Sequence, residues 1–254
     1  MQEALANLTT GVAHSAGRLA QRYGARQLYA LRVGIRRIRT VLKQSGGHRA
    51  RRLRKTWGAF AAITNEARDW DVFHKTARAL LTAEDYRSFQ RLNRKRLRAS
   101  HHAVTALVRS PHWIAHLEEW RHFLERSADH EAHAPPERSL DAVLAMAGAA
   151  LALAMEANDD RGWHKFRIAV KEARYTAEGA GAPSPRTSRV IATCKSLQAT
   201  LGQWHDALIQ LQLLDELAAD PVHSKLRTLI LGRKKQSLSQ TRAMLSAQSI
   251  FVPT

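Results

Sequence analysis

Apolar residues in this chain recur at alternating intervals of three and four, and that rhythm leaves little choice of fold. Leu28, Leu31, Ile35, Ile38 and Leu42 form one such series. It gathers onto a single face only on a helix of about 3.6 residues per turn. No run of four or more residues shows a convincing period-two alternation rich in β-branched types, so strands are not expected. Proline falls at helix boundaries. Ser110-Pro111 and Asp220-Pro221 each place a capping side chain before a proline at the first helical position. The chain is predicted to be all-α.

Its 254 residues, 44% of them hydrophobic, supply ample core without a metal or disulfide, and the single cysteine, Cys194, cannot form an internal bridge. The N-terminus lacks the apolar stretch of a signal peptide. The longest uncharged stretch, Ala142 to Met155, is 14 residues and is expected to form a buried helix, being too short to span a bilayer. A soluble, cytoplasmic protein with no membrane association is expected.

Helices are predicted over about 2–22, 25–45, 50–81, 84–109 and 111–126, then 139–157, 162–180, 187–219 and 222–247, with Asn65 and Gly202 as candidate break points. A polar stretch, 127–138, divides a first bundle (1–126, with 111–126 as a connecting helix) from a second (139–254). The two are related. Tyr29-Ala-Leu-Arg32-Val-Gly-Ile-Arg36-Arg37-Ile-Arg39 reappears as His164-Lys-Phe-Arg167-Ile-Ala-Val-Lys171-Glu172-Ala-Arg174, and Asp69 reappears as Asp206 at nearly the same offset. Two motifs in the same order make a two-fold internal repeat, and short loops make each copy an antiparallel four-helix bundle.

The formal net charge is +18, which calls for a polyanionic partner. The charge is uneven. Residues 1–126 hold 25 Lys+Arg and 9 Asp+Glu, and residues 127–254 hold 15 and 13, so the halves carry +16 and +2. Arg32, Arg36, Arg39 and Lys43 share one helix face, directly beside the apolar series, and 25–45 contains no acid. Like charges at i,i+4 repel, so an outside anion is the expected counter-charge; the alternative is pairing with a neighbouring helix, with Asp69 and Asp206 as the partners. Arg167, Lys171 and Arg174 repeat the spacing. Further rows are Arg87, Arg91, Arg94 and Arg98, and the cluster Arg51, Arg52, Arg54 and Lys55. Such rows suit a linear polyanion, by forked charge-assisted hydrogen bonds and counterion release.

At these residues the chain resembles the CHAD family, the conserved-histidine α-helical domain. Its hallmarks are an H-x-x-R-x-x-x-[RK]-x-x-R helix in each half and a following L-G-x-x-[RN]-D helix. His164, Arg167, Lys171, Arg174 and Tyr175 match the second-half helix, and Lys195, Gln198, Leu201, Gly202 and Asp206 its follow-on. Arg32, Arg36, Arg37, Arg39, Arg68, Asp69 and Asp71 match the first half. Tyr29 stands where the first histidine belongs, Asn65 at the first glycine, and His205 at the second Asn. Tyr29 can donate a hydrogen bond but cannot become cationic near neutral pH. The resemblance implies two four-helix bundles related by pseudo-two-fold symmetry, with basic residues of both lining a central cavity that binds inorganic polyphosphate, and association with polyphosphate granules. Sulfate or phosphate ions could stand in for the ligand. The candidate ligands are the α-helical rows Arg32, Arg36, Arg37, Arg39 and Lys43, then Arg51, Arg54, Lys55, Arg94 and Arg98, and in the second half His164, Arg167, Lys171, Arg174 and Lys195. No cofactor, metal or catalysis is expected.

Two other readings compete. Nucleic acid shares the electrostatics, but no aromatic is threaded through the Arg32–Lys43 row, and Trp57, Trp70, Trp113, Trp120, Trp163 and Trp204 are expected in the core. His205-Asp206, with His164 and with Asp215 or Asp220, also resembles the ligand set of HD-type metal phosphohydrolases. A metal there would face repulsion from the cationic row. His112 and His116 lack a third ligand and are expected to be ordinary helix residues, and Cys194 a small helix residue.

Overall fold

The computed structural model describes residues 2–127, 139–179, 184–247 and 250–251. Among them every regular element is an α-helix: α1 (Gln2–Gln21), α2 (Ala25–Ser45), α3 (Gly47–Leu80), α4 (Ala83–Arg109), α5 (Pro111–Ser127), α6 (Leu140–Ala157), α7 (Asp160–Gly179), α8 (Pro185–Asp215) and α9 (Pro221–Ala247). The all-α expectation holds. The predicted divider, 127–138, lies outside the described residues apart from Ser127, which ends α5; Ser139, just after it, caps α6.

The helix starts follow side-chain chemistry. Ser110 Oγ accepts from Trp113 N at 3.1 Å, and Asp220 Oδ1 from Val222 N at 2.8 Å, so both proline-marked caps form. Ser184 and Thr187 make a reciprocal capping box ahead of Pro185. α8 stops at Asp215, short of the predicted 219, because Glu216 to Asp220 turn to set up the Asp220 cap. Neither long helix breaks. Asn65 turns its side chain outward to a neighbour, and Gly202, with open space around it, costs α8 about 1 kcal/mol of propensity that packing absorbs.

The chain forms two compact units, Met1–Pro135 and Pro136–Thr254. In the first, α1 to α4 pack in sequence and α1 also meets α4, while α5 lies against α1, α3 and α4. Leu28, Leu31, Ile35, Ile38 and Leu42 are buried in its core with Trp57, Phe60, Trp113 and Trp120. Arg109 Nε, at the end of α4, donates to Ala20 O at the end of α1 over 2.7 Å. In the second unit α6 packs on α7, α7 on α8 and α8 on α9. Its core holds Trp163, Phe166, Val170, Leu197, Leu201 and Trp204.

The expectation of a buried 139–157 helix needs correction. Val143, Leu144, Ala147 and Ala154 are buried, but Met146, Leu153 and Met155 are each about half exposed. The apolar run exceeds what one packed face needs: α6 packs along α7, while α8 reaches it at the Arg186–Asp141 pair and Phe251 lies against Gly148. With its flanking acidic residues the helix spans 18 residues, long and apolar enough by length and composition to cross a membrane.

Candidate anion-binding sites

The first site grows from the placement of the α2 cations one residue after the buried series. A step of one residue turns about 100° around a helix. Arg32, Arg36, Arg39 and Lys43 therefore stand at the rim of the core: Arg32 and Arg39 half-buried, Arg36 and Lys43 exposed. Across from them runs α3. Arg32 Nη1 donates to Asn65 Oδ1 over 2.6 Å. Arg39 lies over Gly58, where a Cβ would stand 3.7 Å from its Nη2, and its Nε is buried without a hydrogen-bond partner.

These two facings share one antiparallel register. Seven residues up α2, from Arg32 to Arg39, match seven down α3, from Asn65 to Gly58. Four more bring Lys43 level with Arg54, and Arg51 and Lys55 occupy the same exposed first turns of α3. A row read on α2 alone is thus continued across the helix pair. Arg52 turns aside and pairs with Glu119 of α5.

Charges in this row press on one another. Arg32 is pulled down to about 10, first by burial, then by the positive charges of Arg68 and Arg36, with Asp69 and Tyr23 acting in the opposite sense. Asp69 is engaged by Arg68, Nη1 to Oδ1 at 2.9 Å. Among the described residues no carboxylate lies within ion-pair distance of Arg36, Arg39 or Lys43. Pairing with Asp69, the alternative to an external anion, therefore does not account for these three.

Behind Arg32 stands a cluster that local spacing could not reveal. Tyr23, between α1 and α2, donates its hydroxyl to Asp71 Oδ2 of α3 at 2.6 Å, and His101 Nε2 of α4 meets Asp71 Oδ1 at 2.8 Å. The Tyr23 and His101 rings stack at 3.6 Å between centroids. Burial and the Asp71 hydrogen bond push the Tyr23 phenol well above its ordinary value. This cluster ties three elements together beside Arg32.

In the second unit the corresponding residues come from α7 and α8. The His164 and His205 rings lie 5.4 Å apart, and Arg174 Nη1 donates to Gln198 Oε1 at 2.8 Å. Arg174 Nε is 3.2 Å from Glu178 Oε1 but without hydrogen-bond alignment, and its guanidinium sits 5.0 Å from the Tyr175 ring centroid. The antiparallel register brings Lys195, exposed on α8, to the level of Arg174. Arg167 and Lys171 lie between, both acting electrostatically on His205. His205 is lowered to about 4 by burial, then by Arg167 and His164, against Asp206.

Other candidates sit elsewhere. Arg37 lines a groove between α1 and α2, on the side of α2 away from Asn65. Arg94 and Arg98 are exposed on α4; Arg98 is one turn from His101 on the same side of that helix. Among the described residues no group of three or more His, Cys, Asp or Glu is arranged to hold a metal ion. All six tryptophans are buried, as expected, and Cys194 is buried with its thiol pushed up to about 11. His112 and His116 pack edge-on against Phe60. Sequence reasoning missed Tyr23, Gly58, the Asn65 bond to Arg32 and the pairing of His101 with Asp71; His205 was visible as a departure from a motif and in the His205-Asp206 pair.

Comparison with known proteins agrees with this architecture. The CHAD domain family model matches residues 6–215. A crystal structure of the CHAD domain from the plant Ricinus communis superposes with a TM-score of 0.76 at 22% identity, covering 97% of this chain and 90% of that one. No curated protein matches the chain.

Proposed function

We propose, from the premise that this chain belongs to the CHAD domain family, that it binds inorganic polyphosphate without catalysis, through the Arg32–Lys43 row of the first unit and the His164–Arg174 row of the second. One observation carries the reading. Arg32 is fixed on Asn65 and loses proton affinity first through its partial burial and then through the charges of Arg68 and Arg36. A cation held in that state is destabilised until an anion arrives, and a phosphate chain relieves several such cations at once.

The two units are proposed to be copies of one four-helix bundle related by a pseudo-two-fold axis. Equivalent helix pairs support this: Arg32 faces Asn65 on α2 and α3, and the shared register puts Arg167 level with Gly202 on α7 and α8. Each row is proposed to bind polyphosphate, in the cytoplasm and at polyphosphate granules. Nucleic acid is the second reading, favoured by Tyr29 and Tyr175, which are exposed beside the two rows and could stack on bases.

Competition between long-chain polyphosphate and DNA or RNA, at matched phosphate concentration and physiological salt, tests the choice. Polyphosphate is expected to displace the nucleic acid. Displacement in the other direction replaces the proposal with the second reading.

A further inference from the structure

His205 stands in the second unit where Arg68 stands in the first. Arg68 is a permanent cation, whereas a histidine there carries charge only when protonated. Its surroundings discourage that. From α7 it faces His164, Arg167 and Lys171; on α8 its sole opposing neighbour is Asp206. On α9, packed against the other side of α8, Gln236 and Ser237 are level with His205, and Lys234 is held by Asp160 at 2.7 Å. The Nδ1 of His205 is buried and has no hydrogen-bond partner among the described residues. Protonation would thus add a positive charge beside Arg167 and Lys171 and a second N–H with no acceptor to receive it.

We propose that His205 is a further ligand of the second-unit anion site, neutral while the site is empty and protonated once phosphate oxygens occupy it, so that binding takes up a proton. The inference rests on the phosphate-binding reading. Phosphate oxygens placed among Arg167, Lys171 and His164 offset the repulsion that disfavours a charged ring and accept from Nε2, since Nδ1 is buried. The sign follows from linkage. The empty site holds the ring near a pKa of about 4, and an occupied site returns it towards the ordinary value of about 6.5. Binding therefore strengthens as pH falls, by about tenfold between pH 8 and pH 5.5. The first unit, with Arg68, gains nothing from this change. The two sites are unequal: the Arg68 site is charged at every physiological pH, and the His205 site charges on demand.

The test uses the full chain labelled with 15N-histidine and titrated with tripolyphosphate at pH 6, with binding followed independently by calorimetry. The His205 ring signals are assigned by their absence in His205→Asn. On saturation they are expected to change from the widely separated pattern of a neutral ring to the near-equal pattern of an imidazolium. Calorimetry in buffers of different ionisation enthalpy is expected to give an uptake of up to about one proton that His205→Asn loses. His164→Asn accounts for the other histidine's share. A ring that stays neutral while calorimetry shows saturation overturns the proposal and leaves phosphate binding intact. Absence of tripolyphosphate binding by the unmodified chain overturns both.

Discussion

Arg32 and Asn65 are joined across α2 and α3 by a 2.6 Å hydrogen bond, at the level of α3 where the second unit carries Gly202. The side chain of Asn65 thus aims a guanidinium in one unit that its counterpart must hold by other means. Asn65→Ala removes the anchor but no charge. With about 1 kcal/mol at stake in such a bond, tripolyphosphate affinity is expected to fall about fivefold, with the far-ultraviolet circular dichroism unchanged. Equal affinity in calorimetry would show that Asn65 does not position Arg32.

Arg36 and Arg39 contribute charge rather than structure. Arg36 is exposed, and Arg39 rests over Gly58 at the edge of the core. Replacing both by Glu reverses the field in the middle of the row while leaving Ile35 and Ile38 in place. Polyphosphate binding is expected to vanish and helicity to persist. Retained binding moves the site away from α2.

The α2 row was legible because its information is local: intervals of four and three put Arg32, Arg36 and Arg39 on one face, and the adjacent apolar series fixes which way that face points. The same logic gave the caps at Ser110 and Asp220. Tyr23, Asp71 and His101 were not legible as a cluster. They lie on three different elements, and only the packing of α3 on α4 and of the α1–α2 junction on both brings them together. Composition misled at α6, since an unbroken apolar run does not say how many neighbours a helix has.

That cluster makes a stability prediction. Tyr23→Phe deletes the hydroxyl that Asp71 accepts from, at a cost of about 1–2 kcal/mol, read as a lower urea midpoint. The pH dependence has a definite sign. Tyr23 holds its proton more tightly in the folded state than in the unfolded one, so its contribution is complete below the unfolded value of about 10 and shrinks above it. The unmodified chain is therefore expected to lose more stability between pH 8 and 10.5 than Tyr23→Phe does. Parallel losses in the two would mean that the phenol plays no part.

Gly34 permits α1 and α2 to approach closely. A Cβ there would collide with Val12 Cγ2, in the buried seam between the helices. Gly34→Ala is expected to destabilise the first unit by about 1–3 kcal/mol through overpacking, despite the better helix propensity of alanine. Val12→Ala should recover much of that loss when combined with it. Simple additivity of the two substitutions in a double-mutant cycle argues against the contact.

Salt dependence separates the charged members of the row from those that only position them. If about six phosphates are neutralised, log K should fall with log[salt] at a slope near −4, taking roughly −0.7 per phosphate as for single strands. Arg36→Ala removes one contact and should flatten the slope by about 0.7. Asn65→Ala removes none, so it should shift the whole line towards weaker binding without changing its slope. The two variants could show similar affinities at one salt concentration and still be told apart over a range. An affinity indifferent to salt would be incompatible with binding by these cations, because guanidinium and ammonium groups at the rim of α2 cannot neutralise a phosphate chain without releasing its counterions.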